Sequence, residues 1–284
     1  MSGGRPILNV LRVARLPIFT QLNLEEALLR ATADNWLIIN DGAFTPAIVL
    51  GISGRPAELV RCPEALQSGI QVIRRFTGGG TVVVDHDTVF STLIMQAEDV
   101  PHVQPYPQPI MAWTEQLYRP AFTMTKCPDF SVRENDYVIG GTHKVGGNAQ
   151  AITGKRWLHH TSFLWDYDQE AMALLRPPPR APRYREGREH GEFVTRLCDV
   201  LAPEGSDNDG AGPAATRRHL VSAIVQAASA LGFTLQERTL AEAAPALQRK
   251  PHLGTRLVDL REFLSDQELA TLGALQQQGS QPGP

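Results

Sequence analysis

Lysine is scarce in this chain. Of 27 basic residues among 284, four are lysines (Lys126, Lys144, Lys155 and Lys250) and the others are arginines. An excess of either charge is also missing: 27 basic residues against 30 acidic ones leave a net charge of -3. That balance excludes a general nucleic-acid binder, which needs a broad basic surface. Cysteine is nearly absent. Cys62, Cys127 and Cys198 are too few and too scattered for a disulfide framework or a structural zinc site, which fits a reducing compartment. A long hydrophobic run is lacking too. The best apolar stretch, Leu220 to Phe233, is interrupted by Ser222, Gln226 and Ser229, well short of the about 20 apolar residues that span a membrane. No acid precedes Glu25, whereas Arg5, Arg12 and Arg15 do. This has a faint likeness to a transit peptide. A helical pattern begins by Pro17, however, leaving too little chain for a separate presequence. The segment reads as the first strand of the fold and the protein as cytoplasmic, with an organelle as the alternative.

What is present is a core. A hydrophobic fraction of 42% at this length allows one large domain, or one domain with a small appendage. Leu24, Ala27, Leu28 and Ala31 repeat at helical spacing behind Pro17 and predict a helix over 17–32. Strands are expected at 36–40, 47–52, 71–77, 81–84 and 89–96, then, after a helix over 109–122, at 136–139, 144–152 and 157–166. Gly140-Gly141 and Gly154 supply hairpin turns between the last three. Strands clustered with interspersed helices argue for an α+β fold with a mixed, mainly antiparallel sheet. Beyond Tyr167, Pro177 to Pro179 and Pro182 break any helix, and a helix is expected over 189–201. The organisation expected is a catalytic domain over 1–201 and a flexible insert over 202–215, which is small, acidic and Gly/Pro-rich. Helices packing on the domain follow over 216–252, then a final helix and a disordered tail over 253–284. Thr239 with Glu242 and Ser265 with Glu268 have capping-box spacing.

Three segments carry chemistry. In Arg74-Arg75-Phe76-Thr77-Gly78-Gly79-Gly80-Thr81, three glycines let a backbone approach a ligand and converge N–H groups on an anion, beside forked arginine charge. It is neither a P-loop nor a dinucleotide fingerprint, and a tight hairpin with exposed arginines is the plainer reading. In the second, Asn135-Asp136 precede Lys144-Val145-Gly146-Gly147-Asn148-Ala149-Gln150. Glycines weaken a strand interior and mark close approach, so Lys144 can serve to neutralise a carboxylate or phosphate; the plainer reading is a solvated edge-strand lysine. In the third, Trp157 to Leu164, strand alternation sends His159 and His160 to opposite faces, so they cannot share a metal in the usual way, and no metal site is expected.

Together these blocks resemble the biotin/lipoate A/B protein ligase family. RRFTGGGTVVVD, REND, KVGGNAQ and LHHTSFLWD are similar, in order, to that family's RRxSGGGAVFHD, RND, KxSGxA and HHG blocks, over roughly residues 7–200. The resemblance implies the class II aminoacyl-tRNA synthetase-like α+β fold, in which MgATP activates lipoate or octanoate to acyl-AMP and the acyl group passes to a lysine. It implies a lipoyl domain or a glycine-cleavage H-type protein as acceptor, no nucleic-acid or membrane partner, and a monomer. By the same resemblance Lys144 is catalytic. Arg75, Thr77, Gly78, Gly79 and Gly80 form the acyl and adenylate loop, Gly147 and Ala149 lie beside the ligand, His160 is the second histidine of HHG, and Asn135 and Asp136 lie near the nucleotide. Three positions depart from the pattern: Val84 replaces a histidine, Ala151 replaces an arginine, and Thr161 replaces the glycine of HHG. A cysteine-dependent octanoyltransferase fed by acyl carrier protein is the alternative, with Cys127, 17 residues before Lys144, as nucleophile. A non-catalytic acyl- or adenylate-binding relative is the third reading.

Overall fold

The computed structural model describes residues 4–127, 129–177, 182–188, 190–201, 213–249 and 254–279. Among them twelve strands form two sheets: β1 Ile7–Ala14, β2 Asn35–Asp41, β3 Ala47–Leu50, β4 Gln71–Arg74, β5 Val82–Val84, β6 Thr88–Gln96, β7 Phe130–Arg133, β8 Asp136–Ile139, β9 His143–Thr153, β10 Arg156–Leu164, β11 Thr234–Arg238 and β12 Arg256–Leu257. The larger sheet runs β11-β1-β2-β6-β10-β9-β8-β7 and the smaller β12-β4-β3-β5. Only β11–β1, β1–β2 and β3–β4 pair in parallel, so the expected mixed, mainly antiparallel α+β fold holds.

Three long helices matter here: α1 Ile18–Ala31, α2 Pro107–Met124 and α3 Pro213–Ser229. Strand alternation divides the large sheet into two buried faces. Leu37, Leu93, Trp157 and Phe163 pack with residues of α2 and α3, such as Leu117 and Ile224. Trp36, Ile38, Ile94 and Leu158 pack instead under α1, against Leu24, Ala27 and Leu28. The small sheet stands on the α1 side, where Val49, Ile73 and Val84 meet Ile18 and Leu22. The C-terminal end of α1 is held by Arg156, whose guanidinium donates to the Leu28 and Leu29 carbonyls at 2.8 and 2.7 Å and to those of Thr32 and Asp34. The Leu29 carbonyl is one that a helix end leaves without an intrahelical partner, and Leu28 O also accepts from Thr32 Oγ1 at 2.9 Å.

Several expected elements shift, each for a physical reason. The strand expected over 71–77 stops at Arg74, because Arg75 turns its guanidinium inward onto loop carbonyls. The helix expected over 189–201 appears as His190–Phe193 and Leu197–Leu201. It breaks at Val194 and Thr195, whose backbone pairs with Lys144, including Thr195 N–H to Lys144 O at 2.8 Å. In the C-terminal region the expected helices are present, including a final one over Asp266–Gly279, but two strands not expected there join the sheets: β11 forms an edge of the large sheet beside β1, and β12 pairs with β4. Residues 202–212 of the expected insert and 280–284 of the expected tail lie outside the described residues, and 213–215 already belong to α3. Both capping boxes form, with Thr239 Oγ1 accepting from Glu242 N–H and Ser265 Oγ accepting from Glu268 N–H. Among the described residues no helix is long and apolar enough to cross a membrane.

The segment leading into β12 is fastened by one buried carboxylate. Glu26, 1% exposed, accepts from Gly254 N–H at 2.8 Å, Thr255 N–H at 3.1 Å and Arg30 Nε at 2.9 Å. Glu26→Ala is expected to lower stability by about 2–3 kcal/mol, since it strands several buried donors. Urea unfolding measures the loss, and hydrogen exchange should show the amides of 254–257 losing protection.

Candidate active site

The site is built on three rows of side chains crossing β2, β6, β10 and β9 on the α1 face. Cross-strand registers align Asn40, Phe90, Ser162 and Gly147 in one row, Ile38, Thr92, His160 and Ala149 in the next, and Trp36, Ile94, Leu158 and Ala151 in the third. On β9 every member of these rows is small, so a shallow floor runs down that strand where the other strands carry larger side chains.

Lys144 reaches this face through a β-bulge. Tyr137 pairs with Gly146 but Val138 pairs with Lys144, which leaves Val145 as the extra residue. Val145 is buried in the α2 cluster, and a Cβ on Gly146 would meet Phe163 of the same cluster at 3.0 Å. Two successive residues thus point to the α2 side, and Lys144 and Gly147 share the opposite side. A Cβ on Gly147 would lie 4.0 Å from Lys144 Cε and 3.3 Å from Val82 Cγ1. The Lys144 ammonium pairs with Asp136 Oδ1 at 2.7 Å. Asp136 is buried, while Asn135 is exposed in the turn and its carbonyl accepts from the Asn148 side chain.

The glycine loop 78–80 lies over the floor. Gly79 has φ +91°, and a Cβ there would stand 2.9 Å from Arg75 Nη2 and 3.1 Å from Ala149 Cβ. At Gly78 and Gly80 a Cβ would meet nothing within 4 Å. The protein's own packing therefore requires glycine at the middle position and leaves open space at the other two. Gly51, at the end of β3, supports the loop from behind, because a Cβ there would collide with the Gly79 carbonyl. Arg75 is 2% exposed and donates to the carbonyls of Val49, Gly78 and Gly80 at 3.2, 2.8 and 2.8 Å. Burial lowers its pKa to about 10, opposed by Glu25, and it stays charged at neutral pH. The sequence places Arg75 among ligand contacts; its donors instead hold the loop in shape.

Beneath the loop runs a buried polar chain. Thr77 Oγ1 stands 3.4 Å from His160 Nε2, and His160 Nδ1 stands 2.9 Å from Glu25 Oε2. Glu25 Oε1 also accepts from Thr92 Oγ1 at 2.6 Å and Gln21 Nε2 at 2.8 Å, and Gln21 Oε1 accepts from Asn40 Nδ2 at 2.8 Å. With Nδ1–H donating to the carboxylate, Nε2 is left to accept from the threonine hydroxyl. Burial lowers the His160 pKa, the Glu25 hydrogen bond and charge raise it, and Arg75 lowers it again. His159 faces the α2 side, as alternation predicts. Its Nδ1 accepts from Gln150 Nε2 at 3.1 Å and its Nε2 lies 2.9 Å from the Tyr137 hydroxyl. Burial, with a smaller push from His160, lowers the His159 pKa to about 3.

Residues 17–209 match the model of the lipoyl protein ligase A/B catalytic domain, a span that contains every residue of this site. The chain belongs to that family. It is similar to the inactive lipoate–protein ligase 2 of Plasmodium falciparum, at 26% identity over 69% of this chain and 66% of that protein. It therefore spans a little under two thirds of that relative's length. Among solved structures it resembles the bipartite lipoate protein ligase of Thermoplasma acidophilum, from a structural analysis of that ligase and its E2 lipoyl domain, with TM-score 0.65 and 19% identity over 87% of this chain and 92% of that one. It also resembles a lipoate-protein ligase A bound with ATP, with TM-score 0.63 and 18% identity over 87% and 93% of the two chains. At these identities the structural likeness is one of fold.

Within this lipoyl ligase-family domain the structure brings together Lys144, Asp136, Gly147, Ala149, the glycine loop, Thr77 and His160, and it sets Cys127 apart. Cys127 is 4% exposed in the α2 cluster with Phe122 and Phe130, on the opposite face of the sheet from Lys144. Burial, and then Asp129, raise its pKa. A nucleophilic role there is corrected: a thiol inside an apolar core and short of cationic neighbours stays protonated. Sequence reading missed Glu25, Gln21, Thr92, Asn40 and Gly51. Glu25 left one signal, since it falls between Leu22 and Leu28 on the apolar stripe of α1, where an acid demands a partner.

Two outcomes are expected. Gly79→Ala should lower stability by about 1–3 kcal/mol through strain and crowding, while Gly80→Ala leaves the urea midpoint unchanged. As pH falls below His159's ordinary value of 6.5, the unfolded chain takes up a proton that the folded chain refuses until about pH 3. Stability should therefore decline with acidity by about 1.4 kcal/mol per pH unit for this group. Urea titrations at about pH 7 and about pH 5 should show a shallower decline in His159→Gln.

Proposed function

We propose that this chain is a lipoate–protein ligase-like enzyme. It would activate lipoate or octanoate with ATP to acyl-AMP and transfer the acyl group to the lysine of a lipoyl domain or a glycine-cleavage H-type protein. The observation that carries this reading is the placement of the Lys144 ammonium on the same face as Gly147 and Ala149, beside a loop whose Gly78 and Gly80 leave room for a ligand. An acyl chain would lie along the small-residue floor with its carboxylate toward Lys144. In the first step a carboxylate oxygen attacks the α-phosphorus and pyrophosphate leaves. Both reactants are anionic, so a lysine ammonium and loop N–H groups lower the barrier by offsetting like charges. In the second step the acceptor amine attacks the acyl carbonyl, AMP leaves, and the amine loses a proton. The protein's part there is to position the amine and keep water from a hydrolysable mixed anhydride.

Magnesium would arrive transiently with the nucleotide, held mainly by phosphates and water. The buried Cys127 disfavours the route from acyl carrier protein. A second reading, a non-catalytic acyl- or adenylate-binding protein, is favoured by the inactive Plasmodium relative and by Val84 and Ala151 in place of polar residues.

Purified protein incubated with MgATP and lipoate or octanoate should yield acyl-AMP and an acylated lipoyl domain, both detected by mass spectrometry. Lys144→Ala should reduce the yield by two orders of magnitude or more, roughly the effect of deleting a group that stabilises transition-state charge, with the fold intact by circular dichroism. Acyl or nucleotide binding by calorimetry without either product would leave the binding protein standing and sink the ligase.

A further inference from the structure

Residues 182–188 form a strap that docks against the Lys144 site. The Glu134 carboxylate, on a turn residue at φ +52°, accepts the N–H groups of Arg183 and Tyr184, both at 3.2 Å. Arg133 lies over the Tyr184 ring, 4.9 Å from its centre, and Arg188 Nη2 donates to Thr142 O at 3.1 Å. This fastening brings the Tyr184 side chain, 2% exposed, against Asp136, where its hydroxyl donates to Oδ2 at 2.8 Å. The other oxygen of the same carboxylate holds Lys144. Tyr184, Asp136 and Lys144 thus form one line, with a carboxylate shared between a phenol and an ammonium.

We infer that Tyr184 is a positioning residue: by donating to Asp136 it weakens that carboxylate's hold on Lys144, so that an incoming substrate anion can take the ammonium. This rests on reading Lys144 as the group that meets the substrate's anion. A carboxylate whose charge is partly satisfied by a neutral donor attracts a neighbouring ammonium less strongly. The phenol keeps the proton it donates to Asp136, because burial and the facing carboxylates Asp136 and Glu134 push its pKa up. The charged and titratable residues on the elements packed against Lys144 are Arg133 and Glu134 at the β7–β8 turn, His143 beside Lys144 on β9, Arg185 and Arg188 on the strap, and Glu192 on the short helix before Val194.

The test needs no turnover. Wild-type protein, Tyr184→Phe, Asp136→Asn and the double variant are each labelled with a water-soluble acetylating ester across a pH series. Acetylation of Lys144 is followed by mass spectrometry, with Lys155, exposed in its turn, as the internal reference. Tyr184→Phe should raise the pH midpoint of Lys144 labelling, slowing it roughly three- to tenfold at fixed pH below that midpoint. The Lys155 rate should not change. In the Asp136→Asn background the same change should have no effect on Lys144, because the hydroxyl then has no carboxylate to act through. An unshifted midpoint, or a shift that persists undiminished without Asp136, overturns the inference; the latter would mean that the strap merely covers Lys144. A shift in a protein that forms no acyl-AMP would sink the ligase reading alone, and an active enzyme without the shift would sink this inference alone.

Discussion

A carboxylate taken out of water must be surrounded by donors, and α1 carries two such groups side by side. Glu25 and Glu26 are 0% and 1% exposed. Glu25 faces the sheet and collects His160, Thr92 and Gln21. Glu26 faces the C-terminal segment and collects the N–H groups of Gly254 and Thr255. One helix thereby ties the floor of the site, through His160 and Thr77, to the loop above it. It also ties the loop's supporting strand β4, through β12, to a region far along the chain. Loss of either set of donors would leave a charge with no solvent to hold it, which fixes the position of α1 more tightly than its apolar stripe could.

With that frame rigid, the ligand-facing surface can be made mostly of what is left out. The β9 positions of the three rows are glycine, alanine and alanine, and two glycines of the loop face open space. Arg75 spends its donors on the loop's own carbonyls, so in the proposed reaction the positive charge on this face is chiefly the ammonium of Lys144. A compact ammonium would suit the proposed reaction, in which the site meets first a carboxylate and then a phosphate, whereas a planar guanidinium favours one forked partner.

Much of this was legible in the sequence, and the remainder was hidden for identifiable reasons. The glycine loop, Lys144 and the opposed histidines announce themselves through local spacing, because each is a short run whose neighbours share its fate. Arg75 was visible as charge but not as direction, since a guanidinium beside a glycine loop can face a ligand or the loop's own carbonyls. Glu25 could be seen to lie on an apolar stripe, yet nothing links residue 25 to residue 160 until the chain folds. β12 has two residues, too few for any periodicity, and Tyr184 sits in an irregular arginine-rich stretch where no pattern exists to read. The helix expected over 189–201 failed for a tertiary reason, because Lys144 claims the backbone at Val194 and Thr195.

Strand β9 keeps two different phases on either side of Val145. From Gly147 onward odd-numbered residues line the cleft, whereas at Lys144 an even-numbered one does. At a spacing of three residues a regular pleat would turn the ammonium into the apolar layer beneath α2, with every side chain otherwise unaltered, and the bulge at Val145 prevents this. The position of the charge is therefore set by the backbone at Val145 as much as by a residue type. The odd spacing between Lys144 and Gly147 makes the bulge a requirement that no substitution at either site could relieve.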